Sequence, residues 1–277
     1  MRSVRVDLTI HLMATALTIA GSDPTGGAGL QADLQVFASC GVYGHGVVTA
    51  LTVQDSARVH SVLPVFPSAV LDQIRILLDD APPNAVKLGM LATDDVARSV
   101  QLGLEKLPPE TPLVIDPVLA ASDGAPLLES RAERVLLELV GRATLVTPNL
   151  PEAQQLTRRD VSTREGCEMA ARDLVQSVGA YAVLLKGGHR EGAPDDLLAC
   201  RDDGGITLDW LAGERIPSDP VHGTGCALSA AITAHLACGI SLRASIEAGR
   251  ALVAAGIREA RPLGQGANRL MLPGMIT

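Results

Sequence analysis

Short apolar runs alternate with amphipathic stretches along most of this 277-residue chain. Residues 16–20 (ALTIA) form an apolar run bounded by Gly21 and predict a buried strand. Residues 30–39 carry Leu30, Leu34, Phe37 and Ala38 at helical spacing, with Gly41 as the stop. Residues 47–53 (VVTALTV) are rich in β-branched side chains and predict a second strand, followed by another at 62–65 and a helix over 68–78. The middle of the chain repeats one rhythm. Strands at 85–88, 113–115, 144–147 and 182–186 alternate with helices at 93–104, 127–140 and 163–178. Continuous apolar strands between amphipathic helices imply a mostly parallel central sheet with helices on both faces, a three-layer α/β/α arrangement. Segments 195–200, 206–210 and 214–216 predict short antiparallel strands near a sheet edge, and helices at 226–237 and 242–261 follow. No linker, low-complexity tract or internal repeat interrupts the pattern. Residues 14–277 are therefore expected to form a single domain, and residues 1–13 an N-terminal extension without function.

Composition narrows the function classes. Hydrophobic residues make up 47% and charged ones 19%, which is the balance of a folded globular chain. A net charge of -8 with no basic patch argues against a nucleic-acid partner, although local amides and a few lysines can still hold small anions. No apolar run approaches the roughly 18 residues of a membrane span, and residues 1–13 lack the apolar core and cleavage site of a signal peptide. The five cysteines are odd in number and contain no CxxC pair, which fits reduced thiols in the cytoplasm better than disulfides or zinc.

Candidate chemistry centres on His222-Gly223-Thr224-Gly225, a glycine-rich loop running into the helix that begins at Cys226. Backbone N–H groups converging at the positive end of a helix dipole make an anion site, and phosphate is the usual anion. An ordinary loop entering a buried helix fits the same stretch, so other residues must decide. The chain has neither GxxxxGK[ST] nor GxGxxG, so any nucleotide must place its phosphates on this loop. Other distinctive residues fall beyond the carboxyl ends of predicted strands, where open α/β sheets hold ligands: Gly21, Asp116, Asn149 and Lys186. Asn149 and Glu152 have the spacing of a capping box, and equally of groups that orient the water shell of Mg²⁺. Asp116 adds a second carboxylate or is a solvated turn residue. Lys186, flanked by Gly187 and Gly188, either snorkels to solvent or neutralises phosphate. His189 and His222 read as turn residues. Asp33 and Gln54 are polar in apolar surroundings; paired, they can hydrogen-bond an amino-substituted heterocycle, while either alone reads as a satisfied structural residue.

Seven segments together resemble the hydroxymethylpyrimidine/phosphomethylpyrimidine kinase family of thiamine biosynthesis, within the ribokinase-like superfamily. They are ALTIAGSDPTGGAGLQADLQ (16–35), GVYGHGVVTALTVQ (41–54), KLGML (87–91), IDPV (115–118), TPNLPEA (147–153), LKGGH (185–189) and HGTGCALSAA (222–231). The resemblance implies a ribokinase-like fold and ATP-dependent phosphorylation of 4-amino-5-hydroxymethyl-2-methylpyrimidine, then of its monophosphate to the diphosphate. It implies that Gly21, Asp33, Gln54, Met90 and Val118 hold the pyrimidine, Asp33 and Gln54 through its amino group and ring nitrogens. Asp116, Asn149 and Glu152 then manage Mg²⁺. Lys186, with Asn149, Thr224 and Gly225, contacts ATP, and Gly223, Thr224, Gly225 and Cys226 form the catalytic anion hole. It further implies a cytoplasmic homodimer.

Cys226 stands where most ribokinase-like enzymes carry an aspartate base. At a helix start its thiol is expected to have a lowered pKa and to supply a thiolate. Two departures from the family pattern stand out. The lysine that commonly follows IDPV is missing from Leu119-Ala120-Ala121-Ser122-Asp123-Gly124, and the tail GQGANRL (264–270) replaces a GxGxGPVxH-like ending. Loss of that cation is expected to weaken the second phosphorylation unless Arg269 or another cation substitutes. Segments 124–128 and 190–196 are candidate lids. The competing readings are a pyridoxal or pyridoxamine kinase of the same superfamily and a catalytically silent pyrimidine-binding regulatory protein.

Overall fold

The computed structural model describes residues 13–188 and 192–275, so His189 and all but the last residue of the N-terminal extension lie outside it. Strand β1 (Thr15–Ser22) leads through a glycine-rich loop to α1 (Gly29–Ser39), β2 (Tyr43–Gln54) and an antiparallel return strand, β3 (Val59–Pro64). Next come α2 (Pro67–Asp80), β4 (Ala85–Leu88), α3 (Asp94–Gly103), β5 (Leu113–Ile115), α4 (Glu133–Val140) and β6 (Leu145–Val146). They are followed by α5 (Leu150–Thr157), α6 (Arg164–Asp173), β7 (Ala182–Leu185), β8 (Asp196–Asp202) and β9 (Gly205–Leu211). The chain ends in β10 (Val221–His222), α7 (Thr224–Ala237), α8 (Leu242–Arg258) and β11 (Asn268–Arg269).

Among the described residues the main sheet has nine strands in the order β3-β2-β1-β4-β5-β6-β7-β8-β9. Its centre, from β2 to β7, is parallel, and β3 at one edge with β8 and β9 at the other run antiparallel. Strand side chains alternate between two apolar cores because successive Cβ atoms point to opposite faces. Leu17, Val86, Ile115 and Val146 join α2, α3, α4 and α6 on one face. Ala16, Ala85, Val114 and Leu145 join α1, α7 and α8 on the other. Burial on both faces is why each strand reads as an unbroken apolar run. A fully buried side chain such as Phe37 or Leu17 contributes about 1.5–3 kcal/mol.

Local signals place the helices. Thr93 caps α3 by accepting a hydrogen bond from the Val96 amide at 3.3 Å, and Asp94 and Asp95 occupy its first turn. The structure corrects several boundaries. The helix expected over 127–140 begins only at Glu133, after a short 3₁₀ turn, because Leu127 and Glu129 donate their amides to Leu119 and Ala92 instead. Segment 163–178 is α-helical to Asp173 and ends in a π turn, Leu174–Val178. The helix expected to reach residue 261 stops at Arg258, and Arg261 exchanges backbone hydrogen bonds with Arg269. Residues 214–216 are not a strand: Gly213 sits against the Pro194 carbonyl, and its amide bonds the Asp195 carboxylate, which turns the chain off the sheet.

β1 is flanked by β2 on one side and β4 on the other, so the strand order reverses direction at β1 and opens a crevice at the carboxyl ends of these strands. Beneath that crevice lies a fully buried ion pair, Lys87 Nζ to Asp33 Oδ2 at 2.7 Å, with Thr18 donating to the same oxygen at 2.6 Å. Asp33 Oδ1 has no hydrogen-bond partner among the described residues. Burial pushes the Asp33 carboxyl up, against the pull of Lys87 and Thr18. Burial also opposes the charge on Lys87, but Asp33, with Cys226 and Asp116 farther off, holds its pKa above the ordinary lysine value. Lys87→Met strands a buried carboxylate and is expected to lower the unfolding free energy by about 3–5 kcal/mol. Removing both charges in Lys87→Met/Asp33→Leu is expected to recover most of that loss. Urea unfolding of the three proteins checks the ordering, and equal losses in both variants would contradict it.

Candidate active site

A cavity of about 920 Å³ occupies the crevice at the carboxyl ends of the parallel strands. Its phosphate-like end is built on α7. Gly223 caps the helix at φ +79°, and a Cβ there would lie 1.7 Å from the Gly27 carbonyl oxygen, so only glycine fits. The first-turn amides of Thr224, Gly225 and Cys226 have no partner inside the helix by geometry and face the cavity wall that these residues line. Lys186, one residue past β7, donates to Asp116 Oδ1 at 2.8 Å. Its ammonium lies 3.1 Å from the Cβ position of Gly225, at the head of the helix. A cation and a helix N-terminus thus converge on one point.

The carboxylates around Lys186 have different electrostatics. Burial alone would raise the Asp116 carboxyl, but Lys186 and Lys87, with hydrogen bonds from Lys186 and Thr147, hold it below the ordinary aspartate range. Burial opposes the charge on Lys186, and Asp116 and Glu152 restore it, so the side chain remains an ammonium with a raised pKa. Glu152 is pushed up to about 7, by burial first and by Asp116, against the opposing pull of Lys186. Asn149 and Glu152 form a full capping box on α5: Asn149 Oδ1 accepts from the Glu152 amide at 2.9 Å and Glu152 Oε2 accepts from the Asn149 amide at 2.7 Å. Both also line the cavity, so the structural and the ligand-facing readings of this motif coexist.

Among the described residues no three His, Cys, Asp or Glu side chains converge as a metal cage. The carboxylates present fit a divalent cation that keeps most of its water and takes one or two protein ligands, as Mg²⁺ does. Glu152, whose ionisation burial and the Asp116 charge delay to about pH 7 despite Lys186, is the group such a cation would relieve.

The opposite end is shaped for a flat apolar body. Met90 packs with Ala50 and Ala92 and is bordered by Val62, Val118 and Leu127. Its backbone is pinned by Thr49 Oγ1, which donates to the Met90 carbonyl at 2.6 Å. Gly21 lies in β1, and a Cβ there would sit 2.8 Å from Met90 Sδ, so the missing side chain keeps the shelf open. Gln54, at the end of β2, brings an amide to this end.

Three expectations are corrected. Asp33 does not line the cavity; it is fully buried behind the wall, with its Oδ2 taken by Lys87 and Thr18. Cys226 lines the cavity, but its thiol is not acidified. Burial, aided by Asp116 and Asp33, pushes it up to about 11 despite the opposing pull of Lys87 and a hydrogen bond from the Gly29 amide. Arg269 is buried against Gly27 in a separate, smaller cavity of about 220 Å³ behind the anion loop, where it cannot serve as an acceptor-side cation. The departing tail has another task. β11 pairs with β10 and holds His222 in place, while Gly266 and Ala267 donate to Ser56 at the tip of the β2–β3 hairpin.

Sequence reasoning passed over Asp23, Lys87 and an apolar slot formed by Leu228, Val253, Ala254 and Ile257. Two of these had a signal. A charge inside the apolar run AVKLGML and a carboxylate just past the first strand obey the same rules that singled out Asp33 and Asp116. The slot had none, because its residues read as ordinary helix core.

With this geometry in hand, the comparisons with known proteins are specific. The phosphomethylpyrimidine kinase family model matches residues 23–271. A hydroxymethylpyrimidine/phosphomethylpyrimidine kinase of Staphylococcus aureus (strain MRSA252) is 37% identical over 254 residues, covering 91% of this chain and 90% of that protein. Among solved structures, the ADP complex of Bacillus subtilis pyridoxal kinase superposes with a TM-score of 0.83 at 33% identity, covering 93% of this chain and 96% of that one. Phosphomethylpyrimidine kinase from Clostridium difficile 630 superposes with a TM-score of 0.77 at 33% identity, covering 87% and 98%. The chain belongs to the phosphomethylpyrimidine kinase family and has its ribokinase-like fold.

The raised Glu152 fixes a pH signature. A carboxyl that ionises near 7 when folded, against an ordinary value of 4.5, favours folding in its protonated form. That contribution is complete below pH 4.5 and is lost as pH rises through 7. Glu152→Gln keeps an oxygen for the capping box but cannot ionise. Its melting temperature is expected to exceed that of the parent above pH 7, with the advantage shrinking toward pH 4.5. Thermal melts across this range check it, and a pH-independent difference would contradict it.

Proposed function

Starting from that membership, we propose that this chain uses ATP to phosphorylate 4-amino-5-hydroxymethyl-2-methylpyrimidine and then its monophosphate. The observation that carries the reading is the meeting of the Lys186 ammonium with the α7 N-terminus, 3.1 Å from the Gly225 Cβ position, at one end of a cavity whose other end is the Met90 shelf. The relative from Staphylococcus aureus carries both pyrimidine activities in its name, and the ADP complex of the Bacillus subtilis pyridoxal kinase supports a nucleotide in the same fold.

In this reading the pyrimidine lies on Met90 and Val118, with Gln54 at its polar edge and its hydroxymethyl group directed at Cys226. The base of ATP enters the slot of Leu228, Val253, Ala254 and Ile257 on α7 and α8. The γ-phosphate meets the amides of Gly223, Thr224, Gly225 and Cys226 and the Lys186 ammonium. As the acceptor oxygen forms its bond to phosphorus, the bond to ADP breaks and the hydroxyl proton is released. The transition state is loose, so alignment and charge neutralisation do most of the work and little is asked of a base. A thiol at about 11 suits that division, because Cys226 shapes the anion hole without ionising. Mg²⁺ would be held by Glu152 and Asp116, with Asn149 ordering its water, and would neutralise phosphate charge. Lys186 keeps Asp116 oriented toward that position.

Two finer readings accompany this one. The homodimer expected from the family is supported by an apolar surface on β2 and β3, where Leu51, Val53 and Leu63 are exposed beside Phe66. The five cysteines, free in the structure, support a reducing cytoplasmic setting. Pyridoxal is the competing acceptor, since a pyridoxal kinase superposes as well as a pyrimidine kinase does. A silent regulatory protein has no use for the Lys186–Asp116 pair at the cavity wall or for the helix cap that Gly223 alone permits.

The test is ADP release with Mg-ATP on hydroxymethylpyrimidine, its monophosphate and pyridoxal side by side. Turnover is expected on both pyrimidines, with pyridoxal the poorest acceptor, and preference for pyridoxal would move the acceptor assignment. The monophosphate is expected to react more slowly than the alcohol. The cations lining the cavity among the described residues are Lys87, Lys186, Arg250 and Arg258, and none comes from the Leu119–Gly124 loop. Equal rates on the two pyrimidines would overturn that point. Lys186→Ala is expected to lower kcat by about 10²–10³, the usual loss for a preorganised charge, and Cys226→Ser by less. Comparable losses in both would overturn the ranking.

A further inference from the structure

Asp23, His222 and Gln54 meet at the acceptor end of the cavity, and the phosphoryl-transfer chemistry leaves Asp23 and His222 without a role. His222 Nε2 lies 3.2 Å from Asp23 Oδ2 and 3.0 Å from the Gln54 side-chain terminus. The structure places Gln54 Nε2 toward the imidazole and Gln54 Oε1 3.3 Å from Thr52 Oγ1, and a half-turn of the side-chain amide exchanges these two atoms without moving any other. Which groups donate follows from counting hydrogens.

Asp23 is 3% exposed and accepts from the Thr25 amide, the Thr25 hydroxyl and the Ala28 amide, an environment built for an ionised carboxylate. Its carboxyl is held below the ordinary aspartate range despite burial, with His222 the first of the groups that lower it. A carboxylate offers no hydrogen, so His222 must present Nε2–H to it. The Gln54 terminus facing the same Nε2–H must then be the amide oxygen, since an NH₂ there would set donor against donor. Thr52 reaches the same answer independently. Its single hydroxyl hydrogen goes to the Ser22 carbonyl at 2.9 Å, so the Gln54 arm beside it must be the NH₂, donating to Thr52 Oγ1.

We infer that Asp23 and His222 are positioning residues that lock the Gln54 amide with its oxygen toward the imidazole and its NH₂ toward Thr52. The inference rests on the proposed pyrimidine acceptor for its consequence. A locked amide offers the cavity one oxygen lone pair and one N–H in fixed order. That order complements an amidine edge, an exocyclic NH₂ beside a bare ring nitrogen. It opposes a lactam edge, in which the exocyclic group accepts and the ring nitrogen donates. A glutamine free to rotate by half a turn would serve both. The relay therefore makes the site select 4-aminopyrimidines over 4-pyrimidinones of the same shape.

The experiment has two arms. ¹⁵N NMR of the ligand-free protein is expected to find His222 as the Nε2–H tautomer, and in Asp23→Asn to find that tautomer depleted; an Nδ1–H tautomer in the parent would overturn the inference. Calorimetric titration with 4-amino-5-hydroxymethyl-2-methylpyrimidine and its 4-oxo analogue is expected to favour the amino compound by at least about 10-fold in the parent, the usual cost of mispaired buried polar groups. In Asp23→Asn the ratio is expected to fall toward one, a change a merely structural role would not produce. An unchanged ratio would overturn the relay. If Asp23→Asn does not fold, His222→Phe gives the same readout. If neither heterocycle binds the parent, the pyrimidine reading fails, and the tautomer alone decides the relay.

Discussion

Charge buried at the carboxyl ends of the strands is the constraint on which this structure depends. Asp33 from α1, Lys87 from β4, Asp116 past β5 and Lys186 past β7 are all nearly or wholly withdrawn from water. An ion in such a place is costly unless it is paired and hydrogen-bonded. Each of these groups has its partner on a different element, so the ion pairs form only when β1, β4, β5, β6 and β7 are in their observed order. The same pairing prearranges the site. The Lys186 ammonium, held by Asp116, and the first-turn amides of α7 are thereby fixed in place before any phosphate arrives.

The anion loop depends on close backbone approach as much as on charge. Gly223 fits only because it lacks a side chain against the Gly27 carbonyl, and the loop of Gly26 and Gly27 is in turn organised by Asp23. From behind, β11 pairs with β10 and Arg269 packs on Gly27. The tail that departs from the family pattern is thus a brace. It ties the hairpin tip at Ser56 to the anion loop and so couples the acceptor end of the cavity to the phosphate end.

Acceptor selectivity cannot be read from the fold, because pyridoxal and pyrimidine kinases superpose on this chain about equally well. An apolar shelf such as Met90 with Val118 accepts any flat ring. What separates one ring from another is a buried hydrogen-bonding group in a fixed orientation, since leaving it unpaired is expensive. In the proposed reading Gln54, half-buried at the end of β2, is that group, and Asp23 and His222 set which way it faces.

Much of this was legible in the sequence by itself. Apolar runs of strand length, helical spacing such as Leu30, Leu34 and Phe37, and glycines next to Lys186 and Cys226 depend on local geometry, so they predicted the parallel sheet, the anion loop and the residues past each strand. Boundaries were lost where long-range pairing overrode local preference, as at Leu127 to Glu129, which bond Leu119 and Ala92 instead of opening a helix. The electrostatic state of each group was out of reach. Cys226 reads as an acidified thiol because a helix N-terminus lowers a pKa, yet the protein packed around it pushes the thiol up to about 11. Asp33 reads as a ligand contact, yet Lys87, 54 positions away, claims it. Chemical type and spacing are properties of the chain, whereas desolvation and pairing depend on which distant residues fill the surrounding volume, and only the tertiary structure decides that.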